Sequence, residues 1–308
     1  MRILALDGGG IRGYYSALLL ARLERERPGF TGSFDFIAGT STGSIIALGL
    51  ATGLDAASLA ELYGSHAPRI FETTLGERLR DVNGLIGPRY SARRLAAVLR
   101  KVFGDRRLGD LPRRVMVPAF NLDDKNPDPA RRCWKPKLFH NFPGPTGDRD
   151  LFARRVALYS SAVPAVFAPV DGYVDGGVFA ANPSMCAVML TQDERLTGVR
   201  PALDSLRVLS VGTGRGPVHI GEEANDWGLA QWARPLLGLT LGAGVDMVDY
   251  QCRRLLGEHY HRLNPWIEGT PIGLDDTEAF GRLATAAETA DLTPTLAWLD
   301  RLDRLECE

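Results

Sequence analysis

Short apolar runs alternate with longer stretches of helical periodicity through the first 215 residues of the chain. Run 2–7 is apolar on both faces and is followed directly by glycines, and run 34–39 ends in glycine, a pattern typical of buried strands. Stretches such as 13–27 repeat apolar side chains at helical spacing, with Tyr15, Leu19 and Leu23 on one face. The predicted strands are 2–7, 34–39, 114–122, 135–142, 172–177 and 205–214. The predicted helices of this part are 13–27, 41–53, 55–67, 91–104, 151–163 and 182–196.

This alternation predicts an α/β fold with a mainly parallel central sheet and helices on both of its faces. Residues 216–308 are mostly helical by the same criteria, with one extended piece at 259–265 and a last helix that includes 293–306. No repeat, low-complexity tract or linker divides the chain. We therefore expect a single domain over 1–308, with the helical remainder packed on a sheet that carries the motifs.

Composition narrows the class of protein and of site. The 36 Lys and Arg residues nearly balance the 37 Asp and Glu residues, so no basic surface predicts a nucleic-acid partner. The four cysteines lie far apart without a CxxC pair, which favours reduced thiols over disulfides or a zinc site. No apolar run reaches the roughly 18 residues of a membrane span. We expect a cytoplasmic protein with no metal and no cofactor, and leave its oligomeric state open.

The sequence Gly39-Thr40-Ser41-Thr42-Gly43 lies between a predicted strand and a predicted helix. A G-x-S-x-G corner in that setting exposes the serine hydroxyl on a strained turn, because the flanking glycines, Gly39 and Gly43, leave room for the chain to cross itself. The following helix directs its free N–H groups and its positive dipole end at the same place. Ser41 is therefore a candidate nucleophile. The competing interpretation is a plain helix N-cap, and the strand–helix context favours the nucleophile.

The glycine loop Asp7–Gly13 also follows a strand and opens a helix. Its Gly8, Gly10 and Gly13 match the G-x-G-x-x-G pattern of dinucleotide sites, which makes a nucleotide-binding oxidoreductase the alternative function. A dinucleotide-binding fold has an acidic residue about 20 positions after the glycine pattern, at the end of its second strand. Here Asp35 lies at the beginning of the second predicted strand instead. An oxyanion hole formed by the N–H groups of Gly8, Gly9 and Gly10 fits the loop better.

Arg12 places a positive charge beside this loop, and a functional or loop-ordering role is favoured over that of a surface arginine. The two glycine corners follow strands that we predict to be neighbours, and ligands bind at the carboxyl ends of strands in open α/β sheets.

A serine nucleophile needs a proton acceptor. None of the five histidines lies in a sequence context that favours it as this acceptor. His259 and His261 are predicted to belong to a half-exposed strand. Asp175 ends a short apolar strand, and Gly176 and Gly177 leave space beside it. Burial would make its carboxylate more basic. The residues alone do not separate this role from a common Asp-Gly turn.

Together, the segments "DGGGIRG" (7–13), "GTSTG" (39–43) and "DGG" (175–177) resemble the patatin-like phospholipase family, in particular a bacterial member. The resemblance implies a Ser41–Asp175 dyad that works without histidine, and an oxyanion hole at Gly9 and Gly10 with Arg12 beside it. One departure is Ala181, where the family often has the first of two asparagines.

The implied function is a serine lipid acyl hydrolase of the phospholipase A type, which releases fatty acid from phospholipids or related acyl esters through an acyl-serine intermediate. Such an enzyme would contact a membrane surface transiently, at the inner membrane. A lipid-binding module without activity is the remaining alternative. The apolar stretch 226–244 suits a lid or an interfacial helix, but core packing is the favoured prediction because apolar helices usually bury inward.

Overall fold

The computed structural model describes residues 1–71, 87–144, 148–221 and 226–307, and within these ranges the strands form one mixed sheet. Its order is β4-β3-β2-β1-β6-β7, with β5 paired to β3. The neighbouring pairs β3-β2, β2-β1, β1-β6 and β6-β7 are parallel, whereas β4 and β5 run antiparallel to β3. The strands are β1 (Arg2–Leu6), β2 (Phe36–Gly39), β3 (Arg114–Asn121), β4 (Lys135–His140), β5 (Tyr173–Asp175), β6 (Arg207–Val211) and β7 (Tyr260–Leu263). The predicted mainly parallel sheet is confirmed.

Helices cover the sheet and bury two apolar clusters against it. They are α1 (Gly13–Glu26), α2 (Thr42–Ala51), α3 (Ala56–Ile70), α4 (Ala92–Phe103), α5 (Ala153–Ser160), α6 (Gly177–Ala180), α7 (Ser184–Thr191), α8 (Glu194–Thr197), α9 (Leu229–Leu256), α10 (Phe280–Thr289) and α11 (Thr293–Cys307). The cores of β1 and β2 are fully buried, as their apolar sequences predict. None of the helices in the described ranges is long and apolar enough to cross a membrane.

One predicted helix is wrong in its extent. The prediction continued from Asn182 to Leu196, but α7 ends at Thr191 and a separate helix, α8, begins at Glu194. The Asp193 side chain accepts the Arg195 N–H and starts the second helix as its N-cap. A capping aspartate competes with the helical main-chain carbonyls for N–H donors and so ends one helix and starts the next. The spacing of apolar residues does not reveal this competition.

The topology brings β5 to the end of β2. β4 occupies one edge of β3 from Met116 to Asn121, so β5 must pair on the other edge, the edge that β2 already uses further back. β2 ends at Gly39, and β5 runs toward it and ends at Asp175. The corner after β2 and the last residue of β5 therefore meet above the same edge of β3.

Candidate active site

Ser41 occupies the corner between β2 and α2 in a conformation that few residues other than glycine adopt. Its φ and ψ are 54° and −124°. A Cβ atom at Gly39 would lie 2.1 Å from the Gly43 carbonyl oxygen, and one at Gly43 would lie 2.3 Å from the Leu6 carbonyl oxygen. Both distances are far below any real contact, so the corner closes only with glycine at both positions. Backbone strain of this kind, about 1–3 kcal/mol, is typical of functional sites.

Asp175 is buried beside Ser41. Its Oδ1 accepts the Gly177 N–H at 2.6 Å, and its own N–H donates to the Ala162 carbonyl at 3.0 Å. Its Oδ2 is buried and meets no donor at hydrogen-bonding geometry among the described residues. Burial raises the pKa of Asp175 to about 7, and the nearby Ser41 hydroxyl and the Gly177 N–H oppose that rise. The carboxyl group is thus close enough to Ser41 to interact with it and keeps one oxygen free.

The DGG glycines pack too tightly for side chains. A Cβ atom at Gly176 would lie 2.3 Å from the Pro118 carbonyl oxygen. One at Gly177 would lie 2.9 Å from both Asp175 Oδ1 and a methyl carbon of Leu241. These close approaches allow the Gly177 N–H to donate to Asp175 Oδ1 while β5 stays paired with β3.

The glycine loop offers fewer free donors than the sequence suggests. The prediction for Gly8 is wrong in this structure, because its N–H donates to the Ala181 carbonyl at 2.9 Å. The N–H groups of Gly9 and Gly10 meet no acceptor within the part of the chain that the structure describes. The same holds for the N–H of Thr42, the residue after Ser41, which sequence reasoning did not single out. Three main-chain donors therefore remain for an anion near Ser41.

A late segment of the chain covers the glycine loop. The Ile11 N–H donates to the Leu274 carbonyl at 2.9 Å, and a Cβ atom at Gly10 would lie 2.1 Å from that oxygen. A Cβ atom at Gly9 would collide with the Thr213 side chain at 2.4 Å. Any side chain at these two positions would displace the loop.

Two arginines hold the base of this loop. Arg12 Nε donates to the Gly9 carbonyl at 3.4 Å, and burial lowers the pKa of Arg12 while the charge of Asp7 opposes that effect. Arg262, from β7, makes a buried two-pronged ion pair with Asp7 and donates to Ser210 Oγ at 2.7 Å. Burial raises the pKa of Asp7, and the Arg262 guanidinium opposes the rise. Arg12 thus binds a main-chain carbonyl within its own loop, and Arg262 binds Asp7, the first residue of that loop.

An apolar cavity opens beside the serine between α3, α4 and the segment after α5. The space between protein atoms there, counted together with the open solvent at its mouth, is about 680 Å³. Its polar groups include Ser41, Thr42, Tyr63 and Ser161, and the Tyr63 hydroxyl is bonded to Thr42. The apolar lining comprises Ile11, Ile45, Leu62, Ile70, Phe71, Leu95, Val98, Leu99, Val163, Val166, Phe167 and Leu274.

The residue that a dinucleotide site would need lies at the wrong end of the sheet. Asp35 Oδ2 accepts the Arg2 N–H at 2.8 Å, at the amino ends of β1 and β2. The glycine loop leaves the carboxyl end of β1. An acid there cannot reach a ribose held by the loop, which weakens the oxidoreductase alternative.

Two of the histidines, His261 and His140, pack within the fold and away from the proposed roles of acid or base. His261 lies on β7, where its Nε2 meets Thr295 Oγ1 at 2.9 Å and its ring stacks on Trp298. His140 is buried at the end of β4 against Phe142.

Helix α9 covers the base side of the site with one face and exposes apolar side chains on the other. Leu241 contacts Gly177, next to Asp175. Leu236, Leu239, Met247 and Tyr250 recur every three to four residues or a multiple of that spacing, and are 53%, 42%, 57% and 58% exposed. The core packing predicted for 226–244 is wrong for Leu236 and Leu239, because the helix turns a different face to the protein.

Comparison with known proteins gives one family. A family model described as a patatin-like phospholipase matches residues 4–187. A cGAMP-activated phospholipase of Pseudomonas aeruginosa is 32% identical over 294 residues, which cover 92% of this chain and 84% of that protein. The putative sporulation hydrolase CotR of Bacillus subtilis is 31% identical over 293 residues, covering 86% of this chain and 87% of that protein.

Among solved structures, that of VipD from Legionella pneumophila superposes with a TM-score of 0.44 at 12% identity. The match covers 93% of this chain but 66% of the VipD chain, so this chain spans just under two thirds of that longer protein.

Proposed function

Since the chain belongs to the patatin-like phospholipase family and is a lipid hydrolase, we propose that Ser41 is its nucleophile and Asp175 its base. One observation carries the proposal. A buried carboxyl group with one free oxygen lies beside a serine on a strained strand–helix corner. A base works best when its pKa lies near the working pH, and burial raises the pKa of Asp175 to about 7.

The reaction proceeds by acyl transfer. Ser41 Oγ attacks the ester carbonyl carbon, and its proton passes to the Asp175 carboxylate. The tetrahedral oxyanion then reforms the carbonyl, the ester C–O bond breaks, and Asp175 returns the proton to the leaving alcohol. In the second half, water attacks the acyl-serine while Asp175 takes its proton. That proton goes back to Ser41 as the fatty acid leaves.

The oxyanion is stabilised by the free main-chain donors around Ser41. We assign Gly9 and Gly10 from the loop, and add the Thr42 N–H at the start of α2, where the helix dipole is positive. Each strong donor of this type contributes about 3–4 kcal/mol to the transition state. Gly8 is left out because its N–H already holds Ala181.

The shape and lining of the cavity indicate the substrate class. Its walls are almost wholly apolar and it begins at Ser41, so it suits one fatty acyl chain with the ester at its mouth. Among the residues that the structure describes, its walls offer no charged group for a phosphate head group, so we place that group toward solvent. We therefore propose acyl-ester lipids, including phospholipids cleaved as by a phospholipase A, as the substrates.

The exposed stripe of α9 is the surface that we propose for contact with the lipid bilayer. Apolar side chains at helical spacing on an exposed face bind lipid interfaces by burying apolar area. The opposite face of the same helix packs beside Asp175, so contact there would bring the site to the bilayer. Met247→Glu, on the stripe, should reduce hydrolysis of vesicles while leaving hydrolysis of a soluble short-chain ester unchanged.

The dyad is tested with purified wild type, Ser41→Ala and Asp175→Asn. Hydrolysis of p-nitrophenyl butyrate and of phosphatidylcholine in mixed micelles is followed, together with covalent labelling by a fluorophosphonate. We expect both variants to fold and to lose activity by at least about 10³-fold. Labelling should vanish in Ser41→Ala and slow strongly in Asp175→Asn.

A control for the same chemical change is Asp193→Asn, since Asp193 is an aspartate that caps α8. It should retain wild-type turnover. Normal turnover by Ser41→Ala would end the proposal. Full activity of Asp175→Asn would leave Ser41 without the base assigned to it.

A further inference from the structure

Ser160, the last residue of α5, makes two main-chain hydrogen bonds directly beneath the corner that carries Ser41. Its side chain is fully buried. Ser160 Oγ accepts the Ser41 N–H at 2.9 Å and donates to the Pro118 carbonyl at 2.6 Å. A hydroxyl has one proton and two lone pairs, so both bonds form at once and fix its orientation.

The first bond acts on the strained residue itself. Ser41 has a positive φ of 54°, a conformation that persists only where the surroundings hold it. Its N–H precedes α2 and has no partner within that helix. The Ser160 hydroxyl supplies the acceptor and so opposes relaxation of the corner.

The second bond connects the corner with the base. The Pro118 carbonyl that receives the Ser160 proton is the group against which Gly176 packs, with a Cβ position there only 2.3 Å away. Ala119, the next residue, pairs with Asp175 in the sheet. Two residues after Ser160, the Ala162 carbonyl accepts the Asp175 N–H at 3.0 Å. One short segment thus holds Ser41 at one end and Asp175 at the other.

We propose that Ser160 is a positioning residue that sets the distance and angle between the Ser41 hydroxyl and the Asp175 carboxylate. This rests on the proposed dyad and adds the group that aligns it. Ser160 has no path to the substrate, because both of its hydrogen bonds are to main-chain groups inside the protein. Its loss should therefore affect the chemical step and leave substrate binding alone.

The test compares p-nitrophenyl butyrate kinetics of wild type, Ser160→Ala, Ser160→Cys and Thr191→Val. Thr191 is the matched control, a fully buried hydroxyl that donates to the Val188 carbonyl at 2.7 Å in α7. Valine removes only the hydroxyl there. We expect Ser160→Ala to lower kcat about 10²-fold, the loss that a displacement of roughly 1 Å produces. KM should stay within about two-fold, and Thr191→Val should match wild type.

Two further readouts separate positioning from general loosening. Fluorophosphonate labelling of Ser41 should slow by a factor similar to the loss in kcat, because it needs the same alignment without an acyl chain. The acidic limb of the pH profile should stay near pH 7 in Ser160→Ala, since Ser160 contacts neither carboxylate oxygen of Asp175. A loosened, hydrated site would move that limb toward the ordinary value of 3.8.

A kcat of Ser160→Ala within about two-fold of wild type, or a loss confined to KM, overturns the proposal. Should Ser160→Ala fail to fold, Ser160→Cys decides by the same criteria, because its thiol keeps a weaker donor and acceptor at the same place. We expect its kcat between those of alanine and serine. Activity that survives in Ser41→Ala would instead remove the dyad itself, whatever the Ser160 variants do.

Discussion

The ionisation of Asp175 should make stability and activity change in opposite directions with pH. Burial raises the pKa of this carboxyl from 3.8 to about 7 in the folded protein. Between about pH 4 and pH 7 the folded chain therefore holds a proton that the unfolded chain has released. Stability from this group is present in full below about pH 4 and is lost as the pH rises through 7. In the proposed mechanism activity needs the charged carboxylate, so it should rise through the same range.

The magnitude follows from the same two values. The difference between about 7 and 3.8 is about 3, and at 1.36 kcal/mol for each pKa unit it gives about 4 kcal/mol. Asp175→Asn removes the charge but keeps an oxygen that can accept the Gly177 N–H. The variant should therefore gain up to about 4 kcal/mol in unfolding free energy over wild type at pH 8, and almost none at pH 4.

Urea unfolding at constant ionic strength, followed by tryptophan fluorescence at pH 4, 5.5, 7 and 8, measures this difference. Ser41→Ala is the control, because it is expected to be inactive yet retains the ionising carboxyl. Its stability should fall with pH as in wild type. Parallel pH curves for wild type and Asp175→Asn would refute the reasoning, since they would show that no proton is bound at Asp175 on folding.

Three other comparisons between variants test separate parts of the site. Ser160→Ala should cost about 1–3 kcal/mol of unfolding free energy by leaving two main-chain groups unpaired, whereas Ser161→Ala should be neutral or stabilising because its buried hydroxyl has no partner among the described residues. Equal urea midpoints would contradict this. Val98→Trp should fill the cavity and reduce hydrolysis of palmitoyl esters relative to butyryl esters, and an unchanged ratio would place the acyl chain elsewhere. Arg262→Met should lower stability by about 3–5 kcal/mol by stranding the Asp7 charge, and adding Asp7→Asn should restore most of it.

The features that were predictable from the sequence are local. Five consecutive residues specify the turn between β2 and α2. Side chains at positions 39 and 43 would collide with main-chain groups close to the turn, so glycine is required at both. The neighbouring parallel strands β1 and β2 follow from two buried apolar runs with a helix between them. The capping of α3 by Asp55, which accepts the Ser58 N–H at 2.6 Å, is a local contact of the same kind.

Long-range contacts had no such signal. Ser160 and Ser41 are 119 positions apart, and Asp7 and Arg262 are 255 apart. A serine at the end of a helix and an arginine in a short strand are ordinary residues until the fold sets their partners. The Gly8 donor was misjudged for the same reason, because its acceptor, Ala181, becomes adjacent only in the folded chain.

The exposed face of α9 was misjudged for another reason. The stretch 226–244 is apolar on several faces, and periodicity alone does not say which of them meets the protein. The structure uses the Leu241 face for that purpose and leaves Leu236 and Leu239 exposed.

The part of the chain beyond the matched family segment contributes to the glycine loop and to the surroundings of Asp175 in the proposed site. Arg262 neutralises Asp7 at the root of the glycine loop, and the Leu274 carbonyl holds the Ile11 N–H above it. Leu241 packs against Gly177 on the side of the base. A loop that must aim two free N–H groups at a developing charge has to be rigid, because preorganised donors stabilise an anion without reorganising. Residues 4–187 alone would leave Asp7 buried without its counter-ion, so the site depends on the helical remainder and is not merely covered by it.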